Sequence, residues 1–113
     1  MLKINARQLE AMKTRRRERA NRQMAEYAKS RFPATCGGPT EEVMRTVDEC
    51  RNRASRYGIV REDLVAGFLD FWIMFGDSFD MSEWSADVLN SDLAPASMIQ
   101  VLRGRVRRTG VSL

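Results

Sequence analysis

No histidine occurs in this chain, and only two cysteines, Cys36 and Cys50, do. The missing imidazole removes the commonest general base and the commonest metal ligand. Two thiols fourteen positions apart do not complete a four-ligand zinc site. They fit no redox motif, so free thiols in a reducing compartment are expected.

Long apolar runs are also lacking. The most apolar window, Leu64 to Phe75, is twelve residues long and contains Asp70, whereas a membrane span needs about 20. The opening "MLKINARQLEAMK" has no unbroken apolar region and no small-residue cleavage site, so no secretory leader is read there. A cytoplasmic protein with no membrane association is expected, exported only if another molecule carries it out.

No G-x-S-x-G elbow, phosphate-cradling loop or H-E-x-x-H pattern is present. Asp77, Asp80 and Glu83 in "DSFDMSE" recur every three residues. A calcium loop needs oxygen ligands at alternate positions and a glycine at the sixth. Neither condition is met, and capping and solubility account for those acids. The expectation is a chain with no catalytic residue, no cofactor and no metal.

What is present is a chain of 113 residues, 43% hydrophobic and 30% charged, the balance of one folded soluble domain. Its charge is polarised. Residues 1–31 carry ten Lys/Arg against three Glu; residues 62–102 carry eight acids and no base; the last eleven residues add four arginines.

The pattern predicts an all-α fold of about five helices, two of them short, in a single domain over 1–113: a basic N-terminal helix (1–31) and a helical core (40–108). From Ile4 to Arg31 there is no Gly or Pro. The apolar residues Ile4, Leu9, Met12, Ala20, Met24, Tyr27 and Ala28 leave a gap around "KTRRRER", so both ends are expected to pack while the middle stays wet. "FPATCGGPT" breaks the helix, with Thr40 as the next N-cap.

Val43, Val47, Cys50, Ala54 and Tyr57 then form one narrow stripe, closed by Gly58. A third helix, Arg61 to Phe75, is apolar nearly all round, with Ala66, Gly67 and Asp70 left for the wet face, and it stops at Gly76. Ser82 is expected to cap a short helix carrying Trp84, Val88 and Leu89. Pro95 suits the first turn of a last helix, with Met98, Leu102 and Val106 on one side and Gly110 beyond its end.

Two groups of residues stand out as binding candidates. Arg15, Arg16, Arg17, Arg19 and Arg22 form a basic surface. Clustered arginines neutralise phosphates, but no aromatic is interleaved for base stacking, so a solvated helix or an acidic protein partner is the preferred reading over nucleic acid. Phe79 and Trp84, on a polar loop and a short helix among Asp77, Asp80 and Glu83, are expected to form an aromatic anchor at a protein interface.

The succession "FPATC" (Phe32, Pro33, Cys36), "YGIVREDL" (Tyr57, Gly58, Ile59, Glu62, Asp63), "FGDSFD" (Phe75, Gly76, Asp77, Phe79, Asp80), then Trp84 and Leu89, resembles a group of small helical proteins. These are encoded beside type VI secretion effectors in Gram-negative bacteria, near spike, tip and toxin proteins. The similarity runs over about 30–103, with a looser match at the start; the basic first helix and "CGGPTEE" depart from the usual pattern.

The resemblance implies an accessory role, an adaptor or chaperone that binds a toxin or helps mount it on the spike, and carries over no catalytic residue. A basic arm and an acidic, aromatic half suit an adaptor with two partners or a head-to-tail homodimer. An immunity protein that occludes a toxin is the second expectation, and nucleic-acid binding through the arginine helix the third.

Overall fold

The computed structural model describes residues 5–108, all of whose regular elements are helical. Five α-helices follow one another: α1 Ala6–Arg31, α2 Thr40–Ser55, α3 Glu62–Phe75, α4 Glu83–Leu89 and α5 Pro95–Arg108, with a 3-10 turn at Phe79–Met81. Ile4 and Gly110 lie outside the described residues. Contacts group the chain into two compact units, Met1–Val47 and Asp48–Leu113. The boundary falls inside α2 and not at the loop before it.

In the first unit, α1 opens on a reciprocal cap. The Gln8 backbone N–H donates to Asn5 Oδ1 at 2.8 Å, and the Asn5 N–H donates to Gln8 Oε1 at 3.1 Å, satisfying two donors that a bare helix end leaves open. Lys29 and Arg31 lie in the last turn, where the helix dipole favours cations. Asn21, Met24, Ala25 and Ala28 are buried, the i, i+3, i+4, i+7 pattern of a core-facing stripe.

Residues 5–19 are all exposed. Packing at both ends of α1 was the expectation from sequence, and it holds only for the C-terminal end. Leu9 and Met12 remain 44% and 37% exposed, because two large apolar residues among eight charged ones from Arg7 to Arg19 make too small a stripe to hold a helix down.

The loop after α1 winds back through the bonds Phe32 N–H to Ala28 O and Cys36 N–H to Phe32 O, at 2.8 and 2.7 Å. The Pro39 carbonyl accepts from Glu42 and Val43, so α2 already includes Thr40. The Thr40 hydroxyl accepts from Lys29 Nζ at 3.1 Å, a tie from the end of α1 to the start of α2. Val43 and Val47 are buried, as their spacing predicts.

In the second unit, the end of α2 continues the stripe with Cys50 and Ala54, both wholly buried. Gly58 has φ +77°. Its N–H donates to Ser55 O while the Ile59 N–H donates to Ala54 O, each at 3.1 Å. This paired closure needs a left-handed residue at Gly58 and places buried Ile59 against buried Ala54.

α3 is the centre of this unit: Val65, Gly67, Phe68, Leu69, Asp70, Phe71 and Trp72 are all buried. That corrects the sequence expectation for Gly67 and Asp70, which face inward. At Gly67 an added Cβ would stand 3.0 Å from Ile99 Cγ2 and from Arg103 Nη2, so the missing side chain is what lets α3 and α5 approach. α5 contributes Met98, Ile99, Leu102 and Val106 to the core, and α4 contributes Val88 and Leu89. Ser82 occupies the N-cap position of α4 without a side-chain capping bond.

α3 ends at Gly76, whose φ of 96° and ψ of 167° belong to a region open only to glycine. No atom lies within 4 Å of where a Cβ would stand, so Gly76→Ala meets backbone strain and no clash. Urea unfolding of that variant is expected to show a loss of about 1–3 kcal/mol.

Candidate protein-binding surface

Beyond Gly76 the 3-10 turn Phe79–Met81 packs back on α3. Phe79 enters the core, 1% exposed, with ring centroids 4.8 Å from Phe68 and 5.7 Å from Phe71. Ser85, itself buried, donates from its hydroxyl to the Phe79 carbonyl, which fastens the 3-10 turn to α4. Trp84 is carried above this cluster, edge-on to Phe75 at 5.1 Å and to Phe71 at 5.8 Å.

Asp80 follows Phe79 inward and is 2% exposed. Buried carboxylates persist only when paired and hydrogen-bonded. Arg53 Nη1 donates to both of its oxygens at 3.0 and 3.2 Å, and the Tyr57 hydroxyl donates to Oδ2 at 2.6 Å. The same Arg53 nitrogen reaches the Asp77 carbonyl at 3.2 Å. Its guanidinium lies 5.4 Å from the Trp72 ring centroid, a cation–π contact. Arg53 and Tyr57 are four residues apart, which places them on one side of the helix end.

Above this cluster, Phe75, Trp84, Arg105 and Val106 line a recess of about 140 Å³. Phe75 is 37% exposed and Trp84 half-buried, while Val106 is buried. Arg105 donates to the Trp84 carbonyl at 2.8 Å and to both Asp87 oxygens at 2.7 and 3.0 Å. That fork pins α4 to α5 and holds the Asp87 carboxyl below its usual range. Arg105 is thereby charge-matched within the recess wall.

The structure divides the residues that the sequence nominated. Phe79 and Asp80 are interior, a correction to their expected place on a presented loop. The loop forms a 3-10 turn, and Arg53 and Tyr57 supply the partners that let a carboxylate go in with it. Asp77 and Glu83 are exposed and Trp84 is half-exposed. Arg15, Arg16, Arg17, Arg19 and Arg22 are exposed along α1, with Arg22 4.0 Å from Glu41.

Phe75 and Arg105 join Trp84 at the surface without having been singled out. For the burial of Phe79 a signal was present in the spacing: Phe68, Phe71, Phe75 and Phe79 recur at three, four and four, and Phe68, Phe71 and Phe79 are core.

Burial pushes the Cys50 thiol up to about 12 from 9, and burial with the bond to Asp80 pushes the Tyr57 hydroxyl up to about 12 from 10. Both groups hold their protons more tightly folded than unfolded. Their contribution is therefore complete below about pH 9 and falls as pH rises toward 12. Thermal melting across that window is expected to show declining stability, with the decline above pH 10 reduced in Tyr57→Phe.

Arg53→Ala leaves the Asp80 carboxylate buried without its cation, and chemical denaturation is expected to show a loss of about 3–5 kcal/mol. An Arg53→Met/Asp80→Leu pair is expected to lose less than Arg53→Ala alone, since no orphaned charge remains. Comparison with protein-family models, curated proteins and solved structures finds no match for this chain.

Proposed function

We propose that this chain is a non-catalytic, protein-binding accessory of a type VI secretion effector, an adaptor or chaperone that stabilises a toxin or helps load it on the spike. The observation that carries this reading is the Phe75–Trp84 pair, partly open over an apolar recess. Such half-exposed aromatics, held rigidly by packing, are the anchors that dominate protein interfaces. At about 140 Å³ the recess is well below the roughly 300–1,000 Å³ of small-molecule sites. It suits one or two side chains of a partner.

The resemblance in "FPATC", "YGIVREDL" and "FGDSFD" supplies the partner class. An immunity role is a second reading, favoured by Asp77, Glu83 and Asp92. All three are exposed and in no ion pair among the described residues, and they offer a negative face to a basic toxin. No helix among the described residues is long and apolar enough to cross a membrane.

A pull-down from the native bacterium with wild type and with Phe75→Ala/Trp84→Ala tests the reading. Recovery of a secretion toxin or spike component by wild type, with at least about a tenfold drop for the folded variant, is expected. Equal recovery by both proteins removes the recess from the interface. Adding saturating protein to the purified toxin separates the two roles: unchanged toxin activity favours the adaptor, and inhibition favours immunity.

A further inference from the structure

The exposed part of α1 has a face of its own. At 3.6 residues per turn, Leu9, Met12, Arg15, Arg16 and Arg19 fall within about a third of the helix circumference. That face is turned away from buried Met24, Ala25 and Ala28. Leu9 and Met12 are among the exposed large hydrophobic residues. They stand three positions apart, the spacing by which a helix seats anchors in a groove. Arg15, Arg16 and Arg19 beside them form no ion pair among the described residues.

The second unit presents the complement. Its recess is apolar and of side-chain size. Glu83 adjoins Trp84 and Asp77 follows Phe75 by two residues, both exposed and unmatched by any cation among the described residues. Arg105, the cation in the wall, is already neutralised by Asp87. An apolar knob flanked by arginines thus meets an apolar recess whose lining residues Phe75 and Trp84 have exposed carboxylates one or two positions away in the chain, and both surfaces belong to this chain.

We propose that the Leu9–Met12 face of α1 from one copy docks into the Phe75–Trp84 recess of a second copy, with Arg15, Arg16 and Arg19 against Asp77 and Glu83. The contact joins two different surfaces, so it is heterologous and leaves one of each free on a pair. Assemblies grow or close with concentration, and opposite charge makes them salt-sensitive. The inference rests on reading the recess as a protein-binding surface, and it makes self-association and effector binding competitors for one site.

Sedimentation velocity of the full chain alone, over a concentration series at about 50 mM and about 500 mM salt, tests it. Wild type is expected to sediment faster as concentration rises at low salt and to do so less at high salt. Arg15→Glu/Arg16→Glu/Arg19→Glu and Trp84→Ala are each expected to remain monomeric. An equimolar mixture of these two variants retains one intact helix face and one intact recess, and is expected to give a 1:1 dimer and nothing larger.

Asp77→Lys/Glu83→Lys alters only exposed positions, so its monomeric state confirms the effect should Trp84→Ala fail to fold. Wild type that stays monomeric throughout overturns the proposal, even if the effector is still captured through Trp84. So does self-association undiminished in Trp84→Ala or in Asp77→Lys/Glu83→Lys, which would place the contact elsewhere. Concentration-dependent association of wild type that the recess variants abolish upholds it, whether or not an effector is recovered.

Discussion

The buried carboxylate of Asp80 is the constraint on which the surface around Trp84 depends. Phe79 and Asp80 are consecutive, and one does not enter the interior without the other. Seating the aromatic ring between Phe68 and Phe71 therefore requires a cation and a donor at the same depth. Arg53, in the last turn of α2, and Tyr57, just beyond it, provide both, and the Gly58 closure fixes where the chain leaves the helix. The apolar and ionic parts of this unit are thus one assembly: Phe79 seats the turn, the turn sets the start of α4, and α4 sets the pose of Trp84. Arg105 then locks that pose from α5.

The acidic run from 62 to 102 looks uniform in the sequence and is not so in the fold. Asp70 and Asp80 are buried. Glu62, Asp63 and Asp87 are ion-paired with Arg51, Arg61 and Arg105. What remains exposed and outside any ion pair among the described residues is Asp77, Glu83 and Asp92, a much smaller unmatched charge than eight acids in a row suggest. Surface pairs of this kind contribute little to stability, but they decide where the remaining potential lies.

Helix identity and most helix ends were legible because local chemistry sets them. Gly58 and Gly76 stop α2 and α3, Pro95 opens α5, and Val43, Val47, Cys50 and Ala54 declare the inward stripe of α2 by their spacing. Phe79 and Asp80 were misread because a polar local composition stood in for exposure, whereas Asp80 is held by groups about 25 residues away and Phe79 packs on Phe68 and Phe71 of α3. Leu9 and Met12 were misread in the opposite sense, as apolar residues with no neighbour to bury them. Trp84 was legible as an aromatic outside the dense helix; Phe75 was not, since its partial exposure follows only from being the last residue before the Gly76 reversal.

The Asn5–Gln8 cap carries a consequence for how strongly α1 can grip anything. From residue 5 to 19 no side chain is buried, so helicity there draws on hydrogen bonds, propensity and the cap, with no core to reinforce it. Helix formation is cooperative, and an N-cap contributes about 1 kcal/mol to it. Any molecule that recognises the helical arrangement of Leu9, Met12 and the arginines must draw on that same equilibrium. The amide of Asn5 thus acts as a gain control on affinity, one that touches no ligand and scales every contact made along the helix.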